Sequence, residues 1–220
     1  KNNIKVTALT RNIHQKGYIL KTQANPGYLE IVEGSIFDHE LIEKLFINAD
    51  LCVNLIGILF EKGKNNFNNI HVEFPKMISR YASTYKLKKF VHLSALGIEN
   101  AKDSIYAQSK LKGEKEILNN FNKAVIARPS IVYSVDDNFT TQLMTLLSLM
   151  PIFPIYYNGE TKFRPIFCSD LTHSITKIIV DDIKENIIEF AGPEEMTFKE
   201  ILEKLLSLIE KKRLLLPMPI

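Results

Sequence analysis

The sequence predicts an α/β fold in which a mostly parallel sheet carries helices on both faces. Short apolar runs alternate with stretches of helical spacing from the start of the chain, an order typical of strand–helix–strand units. The run at residues 51–56 is apolar except at Asn54, as expected for a parallel strand covered on both sides. Gly34 and Gly57 follow two of these runs, where the chain must turn toward the next helix.

The same patterns place each element in order. Strands are predicted at residues 4–9, 28–32, 51–56, 90–93, 124–127, 163–167 and 187–190. Helices are predicted after Asp38, over residues 67–85, from Tyr106, over 139–150, from Ser169 or Asp170 to 180, and over 198–209. Asp38 is the predicted N-cap of its helix, Asp136 and Asp137 place negative charge before residue 139, and Thr197 with Glu200 matches a capping box.

Length and composition indicate one sizeable core, in one domain or in one domain with the start of a second. The 220 residues are 45% hydrophobic and 24% charged, which is typical of a globular protein. The net charge of +3 gives no electrostatic case for nucleic acid as a partner. No apolar run reaches the length of a transmembrane helix, and the histidines and the two cysteines show no metal-ligand spacing.

A serine, a tyrosine and a lysine form the most informative group. One predicted strand ends on Ser94, and the next helix carries Tyr106 and Lys110 one turn apart on one face. A nearby ammonium lowers the pKa of a phenol, which predicts that Tyr106 is a tuned general acid or base. Spacing alone does not decide this, because Tyr85 and Lys89 repeat it.

Further candidates follow the other predicted strands. Ligands of parallel sheets bind at the carboxyl ends of the strands, so we expect these residues to line one crevice. They are Arg11, Ser35, Gly57, Ser94, and Arg128 with Pro129.

Several short segments, taken in order, resemble one superfamily. They read TRN, GSIFD, VNLIG, FVHLSALG, YAQSK followed by Gly113 and Glu114, ARPSIVY and FRPIFCSDL. In this order they are similar to the extended and atypical short-chain dehydrogenases/reductases of the NAD-dependent epimerase/dehydratase superfamily. The nearest branch contains the nucleotide-binding accessory subunit of respiratory complex I and its bacterial relatives.

The resemblance implies a Rossmann-like NAD(P)-binding domain. Residues 1–150 would form this domain in incomplete form, and residues 151–220 would form part of a C-terminal substrate or partner lobe interleaved with the sheet. Tyr106 and Lys110 would be the catalytic pair and would face the nicotinamide and its ribose. The guanidinium of Arg11 would suit a 2′-phosphate, which favours NADP(H) over NAD(H). Implied cofactor contacts are Arg11, Ser35, Ile36, Leu55, Ile56, Gly57, Ser94, Tyr106, Lys110 and Pro129.

The sequence departs from the family pattern in its phosphate loop and in its first strand. The nine glycines form no G-x-G, and the pattern joins the family at its second strand. In the Rossmann order 3-2-1-4-5 the missing strand is central, so its loss leaves two unpaired edges. The chain also stops before the family's C-terminal lobe is complete. We therefore expect it to be part of a longer protein, or the product of a truncated gene that cannot bind cofactor alone.

A third departure concerns catalysis. The catalytic serine or threonine of active relatives aligns with Ala95, and Ser94 would point to the opposite face of the strand. Without that hydroxyl, substrate orientation and oxyanion stabilisation would be weakened, while Tyr106 and Lys110 could still bind the cofactor.

Three hypotheses for the function remain open. The first is a structural or weakly catalytic NAD(P)(H)-binding protein of the complex I accessory-subunit branch. The second is an active reductase, epimerase or dehydratase that uses Tyr106 and Lys110, and the third is an NADP(H)-sensing regulatory protein. The first implies a respiratory-chain or membrane-associated complex as partner. It places the protein in the bacterial cytoplasm, including the inner face of the membrane, or on the mitochondrial matrix side.

Overall fold

Strands and helices alternate in the computed structural model, which describes residues 4–135 and 137–218. The strands are β1 (Val6–Thr10), β2 (Leu29–Glu33), β3 (Leu51–Asn54), β4 (Lys89–Leu93), β5 (Val125–Pro129), β6 (Val132–Tyr133), β7 (Ile152–Ile155), β8 (Lys162–Phe163), β9 (Ile166–Phe167), β10 (Ile187–Phe190), β11 (Met196–Thr197) and β12 (Leu214–Pro217). The α-helices are α1 (Ile13–Thr22), α2 (His39–Ile47), α3 (Phe74–Thr84), α4 (Ile105–Asn120), α5 (Asn138–Leu149), α6 (Cys168–Val180) and α7 (Phe198–Leu208). A π-helix (Asn68–Glu73) leads into α3, and a 3₁₀ turn (Tyr156–Gly159) follows β7.

The main sheet is parallel and has two parts. Four strands lie in the order β10-β5-β4-β3, and β1 pairs with β2 in a separate two-stranded sheet. Every one of these pairs is parallel, which confirms the predicted α/β class and its parallel sheet.

A gap separates the two parts of the sheet. Among the described strands, β1 pairs only with β2, and β3 pairs only with β4. Leu9 of β1 and Cys52 of β3 nevertheless pack against the same cluster of buried side chains, so both parts cover one core. Among the described residues the two parts are thus not hydrogen-bonded to each other, and this break in the sheet is the gap.

The four-stranded sheet has one buried core on each of its two faces. The larger core packs α2, α3 and α4 against the face that carries Phe90 and Ile126, while α6 covers the face that carries Val91 and Val125. Covering both faces explains why β4 and β5 are buried almost throughout.

The C-terminal residues contribute both to this sheet and to a core of their own. β10 pairs with β5, while Leu147 of α5, Phe153 of β7 and Leu202 of α7 form a third buried cluster. This cluster begins with α5, on the N-terminal side of residue 150. β12 pairs with β7, so the last apolar segment is a strand of this lobe.

Two predicted elements are wrong in detail. The strand predicted at 163–167 is two short strands, because Pro165 lacks a backbone donor and Arg164 adapts to it; β8 pairs with β11 and β9 with β6. α6 begins at Cys168 without a side-chain cap, since β9 leads directly into it. Asp170 lies in its first turn, where its charge favours the helix dipole.

The remaining helix starts agree with the sequence. Asp38 and Asp137 cap α2 and α5, and Thr197 and Glu200 form the predicted capping box of α7. Asp136 lies outside the described residues. The strand predicted at 51–56 ends at Asn54, whose side-chain oxygen accepts the N–H of Ile56 and so turns the chain. α1 was not predicted from the sequence.

Candidate functional site

Helix α4 places the tyrosine and the lysine beside the carboxyl ends of β3 and β4. Ser104 caps the helix by accepting the N–H of Ala107, so the helix begins one residue before Tyr106. Buried residues recur every three or four positions along the helix and so form one face, which consists of Ala107, Lys110, Gly113, Glu114 and Ile117. Lys110 is therefore directed toward the sheet and away from solvent.

Lys110 closes the space at the end of β3 and β4. Its side chain is 4% exposed, and its ammonium donates to the carbonyl oxygen of Leu93 at 3.1 Å. A Cβ atom at Gly57 would lie 3.3 Å from the Lys110 Nζ atom, so a side chain at this position would press against the ammonium. Burial lowers the pKa of Lys110 to about 8, and the charge of Glu114 opposes this shift.

Tyr106 lies in an aromatic group next to this lysine. Its ring centroid is 5.8 Å from that of Phe67 and 5.3 Å from that of His71, both in edge-on contacts. Burial raises the pKa of Tyr106, so the predicted lowering of this pKa by Lys110 is wrong. Desolvation of the phenolate decides the direction, and the Lys110 ammonium is engaged by the Leu93 carbonyl.

Arg128 anchors α4 to the sheet. Its guanidinium is 4% exposed and binds the buried Glu114 carboxylate through two hydrogen bonds of 2.6 and 3.1 Å. A third contact of 2.9 Å reaches the more exposed Glu99. Hydrogen bonding to Glu114 raises the pKa of Arg128. Arg128, a predicted crevice residue, is thus a buried structural cation that fixes the helix carrying Tyr106 and Lys110.

The backbone stays extended through Ser94 and Ala95 at the end of β4. The N–H groups of Ser94 and Leu96 donate to the carbonyls of Ala127 and Pro129, so the ladder to β5 continues past the strand end. Regular alternation then directs Ser94 to one side and Ala95 to the other. The Ser94 hydroxyl is buried and has no hydrogen-bond partner among the described residues.

The other predicted residues lie at separate strand ends. Arg11 and Leu55 are exposed, and the Ser35 hydroxyl accepts the N–H of Phe37 in the turn before α2. Ile36 lines a cavity of about 610 Å³ between that turn, the π-helix and α3. No hydrogen bond within residues 4–135 and 137–218 joins Arg11 or Ser35 to the group around Lys110.

Sequence reasoning missed His71 as a member of the site. It is buried, its ring contacts Tyr106, and its Nε2 atom would lie 3.7 Å from a Cβ at Gly57. Nothing in its sequence context marks it, since it lies amid a helical pattern 35 residues before Tyr106. The contact exists because the π-helix packs directly against α4.

These residues fit one half of a nicotinamide dinucleotide. A buried ammonium, a phenol and a neighbouring glycine without a side chain suit a ribose and its attached ring. The chain offers no G-x-G loop for the pyrophosphate. Within the described residues, no cluster of His, Cys, Asp or Glu is placed to hold a metal ion, and no helix has the length and apolarity to span a membrane.

Among the curated proteins to which this chain is similar are respiratory-chain subunits. It is 27% identical over 189 residues to the mitochondrial NADH dehydrogenase (ubiquinone) 1 alpha subcomplex subunit 9 of Dictyostelium discoideum, covering 86% of this chain and 52% of that protein. It is 23% identical over 196 residues to the mitochondrial NADH-ubiquinone oxidoreductase 40 kDa subunit of Neurospora crassa, covering 88% and 51%. The chain thus spans about half the length of these relatives. No family model matches it.

Solved structures with a similar fold bind nicotinamide cofactors. A UDP-glucuronic acid 4-epimerase from Bacillus cereus, in complex with NAD, superposes with a TM-score of 0.80 at 18% identity, over 99% of this chain and 80% of that one. A dTDP-4-dehydrorhamnose reductase from Bacillus anthracis, in complex with NADP, gives 0.75 at 16% identity, over 100% and 86%. The chain therefore has the Rossmann-like α/β fold of these structures, as the sequence predicts.

Proposed function

We propose that this chain, a homologue of the complex I accessory subunits, is the nicotinamide-nucleotide-binding part of a protein that holds NADP(H) without rapid turnover. The observation that carries the proposal is the buried Lys110, held at the end of β4 by the Leu93 carbonyl and facing Gly57. Tyr106 lies one turn earlier on the same helix. The names of the homologues and the cofactors of the structurally similar enzymes support the same function.

Each residue has a specific role in this proposal. Lys110 is mostly an ammonium at pH 7 and can donate hydrogen bonds to ribose hydroxyls. The Tyr106 hydroxyl would bind beside the nicotinamide. Gly57 and the neighbouring Leu55 and Ile56 would lie along the middle of the cofactor, with Ile36 and Ser35 toward the adenine. Ser94 and Pro129 would complete the wall at the ends of β4 and β5.

The absence of a hydroxyl at position 95 argues against fast chemistry. A bound nicotinamide would supply hydride, but orienting a carbonyl substrate would require a donor at the reacting oxygen. Ala95 supplies none, and burial raises the pKa of Tyr106, which weakens it as an acid. Mixing the full-length protein with NADPH and a panel of carbonyl substrates tests this point. We expect no steady-state oxidation of NADPH, and sustained turnover would contradict the proposal.

We propose NADP(H) as the preferred cofactor because Arg11 stands exposed at the end of β1. The carboxylate of Glu33 accepts the N–H of Ile13 at the start of α1, two residues after Arg11, and places a negative charge near this position. Replacing Arg11 by Ala should weaken NADPH binding more than NADH binding. Glu33→Gln is the matched control and should favour NADPH further. Equal effects of Arg11→Ala on both cofactors would reject the preference.

The proposed partner is a respiratory-chain complex, with the protein on the bacterial cytoplasmic side or the mitochondrial matrix side. This part of the proposal comes from the homologues, which are subunits of such complexes. Affinity capture of the full-length protein should recover respiratory-chain subunits at stoichiometric yield. Recovery of an unrelated regulatory protein, with release by NADPH, would instead support an NADP(H)-sensing role.

An active reductase, epimerase or dehydratase is the second candidate. The pair Tyr106 and Lys110 favours it, since both residues lie on one face of α4 beside the strand ends. On this hypothesis Tyr106→Phe should abolish turnover and leave NADPH affinity unchanged. A rate unaffected by Tyr106→Phe would exclude Tyr106 as the acid or base.

A further inference from the structure

A line of hydrogen bonds joins the loop after β3 to helix α4 through His71. The N–H of Ile58 donates to His71 Nε2 at 3.1 Å, and His71 Nδ1 lies 2.8 Å from Ser109 Oγ. The Ser109 hydroxyl in turn donates to the carbonyl oxygen of Tyr106 at 2.7 Å. We call these four groups the His71 relay.

The donors fix the tautomer of His71. A backbone N–H can only donate, so His71 Nε2 must accept from Ile58 and carries no proton. A neutral imidazole then carries its proton on Nδ1, which donates to Ser109 Oγ. Because the Ser109 oxygen accepts this hydrogen bond through a lone pair, its own hydrogen is free to be donated to the Tyr106 carbonyl. The relay therefore runs in one direction, and every bond has one donor and one acceptor.

The surroundings of His71 favour this neutral form. The residue is 1% exposed, and burial together with the charge of Lys110 lowers its pKa to about 4. The titratable groups facing it are Lys110 and Tyr106 of α4 and His92 of β4, whose own pKa is well below the usual value. None of them supplies a negative charge that would stabilise an imidazolium.

Backbone packing holds the relay at a fixed distance from α4. A Cβ atom at Gly113 would lie 1.8 Å from the carbonyl oxygen of His71, so the π-helix touches α4 directly at this glycine. The ring of Phe67 stacks on the His71 ring at 5.3 Å and 19°. The imidazole is thus confined between Phe67 and Tyr106, and it cannot turn away from Ile58 or Ser109 without breaking these contacts.

We propose that His71 is a positioning residue of the nicotinamide site. As a neutral, Nδ1-protonated imidazole it connects the loop at Gly57 and Ile58 to Ser109. This connection sets the placement of Tyr106 and Lys110. The inference deepens the proposed function and rests on it. It follows from where the relay ends: one end is next to Gly57, and the other is the carbonyl of Tyr106 itself.

The tautomer can be observed directly without any cofactor. In ¹⁵N spectra of the histidine-labelled full-length protein, we expect His71 to show a protonated Nδ1 and an unprotonated Nε2 throughout pH 5–8. A His71→Gln variant assigns the signal. Either an Nε2-protonated ring or titration of His71 within this range would overturn the relay.

Substitutions test whether the relay positions the site. Ser109→Ala removes both hydrogen bonds of the Ser109 hydroxyl, to His71 and to the Tyr106 carbonyl, and we expect it to speed amide exchange of Ile58 and to weaken NADPH binding roughly 3- to 10-fold. Ser109→Thr keeps the hydroxyl and should restore both properties. Ser174→Ala is the matched control, because the Ser174 hydroxyl makes a similar bond to the Asp170 carbonyl in α6, on the other face of the sheet.

The outcomes separate the relay from the proposed function. If wild-type protein does not bind NADPH, the proposed function fails. The tautomer of His71 and the amide exchange rate of Ile58 can still be measured, and they decide whether the relay exists. If wild-type protein binds NADPH, and Ser109→Ala binds it equally well with unchanged Ile58 exchange, His71 has no positioning role.

Discussion

Burial makes Lys110 sensitive to mildly alkaline pH. Its pKa of about 8 lies below the ordinary 10.5, so between these values the unfolded chain binds more protons than the folded chain. Lys110 should therefore make the free energy of unfolding larger as the pH rises from about 8 to 10.5. The ammonium needed for ribose binding is lost over the same window, so stability and cofactor affinity should change in opposite directions.

We predict that NADPH affinity falls as the pH rises from 7 to 9.5, with its steepest change near the pKa of Lys110 of about 8. Titrations monitored by NADPH fluorescence measure it. Lys110→Met should bind weakly and show a flatter pH profile, since it lacks the titrating group. The same profile in wild type and Lys110→Met would show that another residue controls binding.

The ion pair between Arg128 and Glu114 should be among the most costly to break. Arg128→Met leaves the Glu114 carboxylate buried without its guanidinium, so we predict a loss of about 3–5 kcal/mol in the free energy of unfolding. Urea denaturation measures it. Lys88→Met, which breaks the exposed pair with Asp50, should leave the unfolding midpoint unchanged. Equal effects of the two substitutions would contradict the structural role of Arg128.

At the scale of elements, the contact between the π-helix and α4 is the critical one. Gly113→Ala would place a Cβ atom 1.8 Å from the backbone oxygen of His71, and backbone cannot move aside as a side chain can. We predict a loss of stability of about 1–3 kcal/mol and faster amide exchange in the π-helix. Gly17→Ala in α1 is the control, because the nearest atoms to its Cβ would be side-chain atoms of Ile13 and Ile31, which can move aside. A neutral Gly113→Ala would refute this packing.

Local sequence patterns predicted most of the elements. Strands and helices with strong apolar periodicity, such as β4, β5 and α3, lie where the sequence places them, as do the caps at Asp38 and Thr197. α1 escaped prediction because it is short and weakly amphipathic, and the carboxylate that accepts its first N–H belongs to Glu33, 20 residues away. The π-helix was predicted only as a helix, since its extra residue per turn is set by packing on α4.

The site was predictable where its residues share one element. Tyr106 and Lys110 could be paired from helical spacing, and the opposite directions of Ser94 and Ala95 from strand alternation. Contacts between distant segments could not be predicted from the sequence. The pairing of Arg128 with Glu114 and the approach of His71 to Tyr106 depend on tertiary packing. The pKa of Tyr106 was predicted in the wrong direction because its burial is not visible in the sequence.

At the scale of the molecule, the divided sheet should make stability uneven. β1 and β2 form a two-stranded sheet with partly exposed side chains, whereas β4 and β5 are buried between neighbours on both sides. In the 220-residue chain, we predict that amides of β1 and β2 exchange faster than those of β4 and β5. Hydrogen exchange with mass spectrometry measures this. Uniform protection across all four strands would contradict the gap.

The central claim is that the group around Lys110 binds a nicotinamide nucleotide. Isothermal titration of the full-length protein with NADPH at pH 7 tests it most directly, with Lys110→Met as the comparison. We predict saturable binding of one NADPH per chain, weakened roughly 10-fold or more by Lys110→Met, the scale expected for losing hydrogen bonds from a charged group. Absence of binding, or equal affinity of both proteins, would contradict the account.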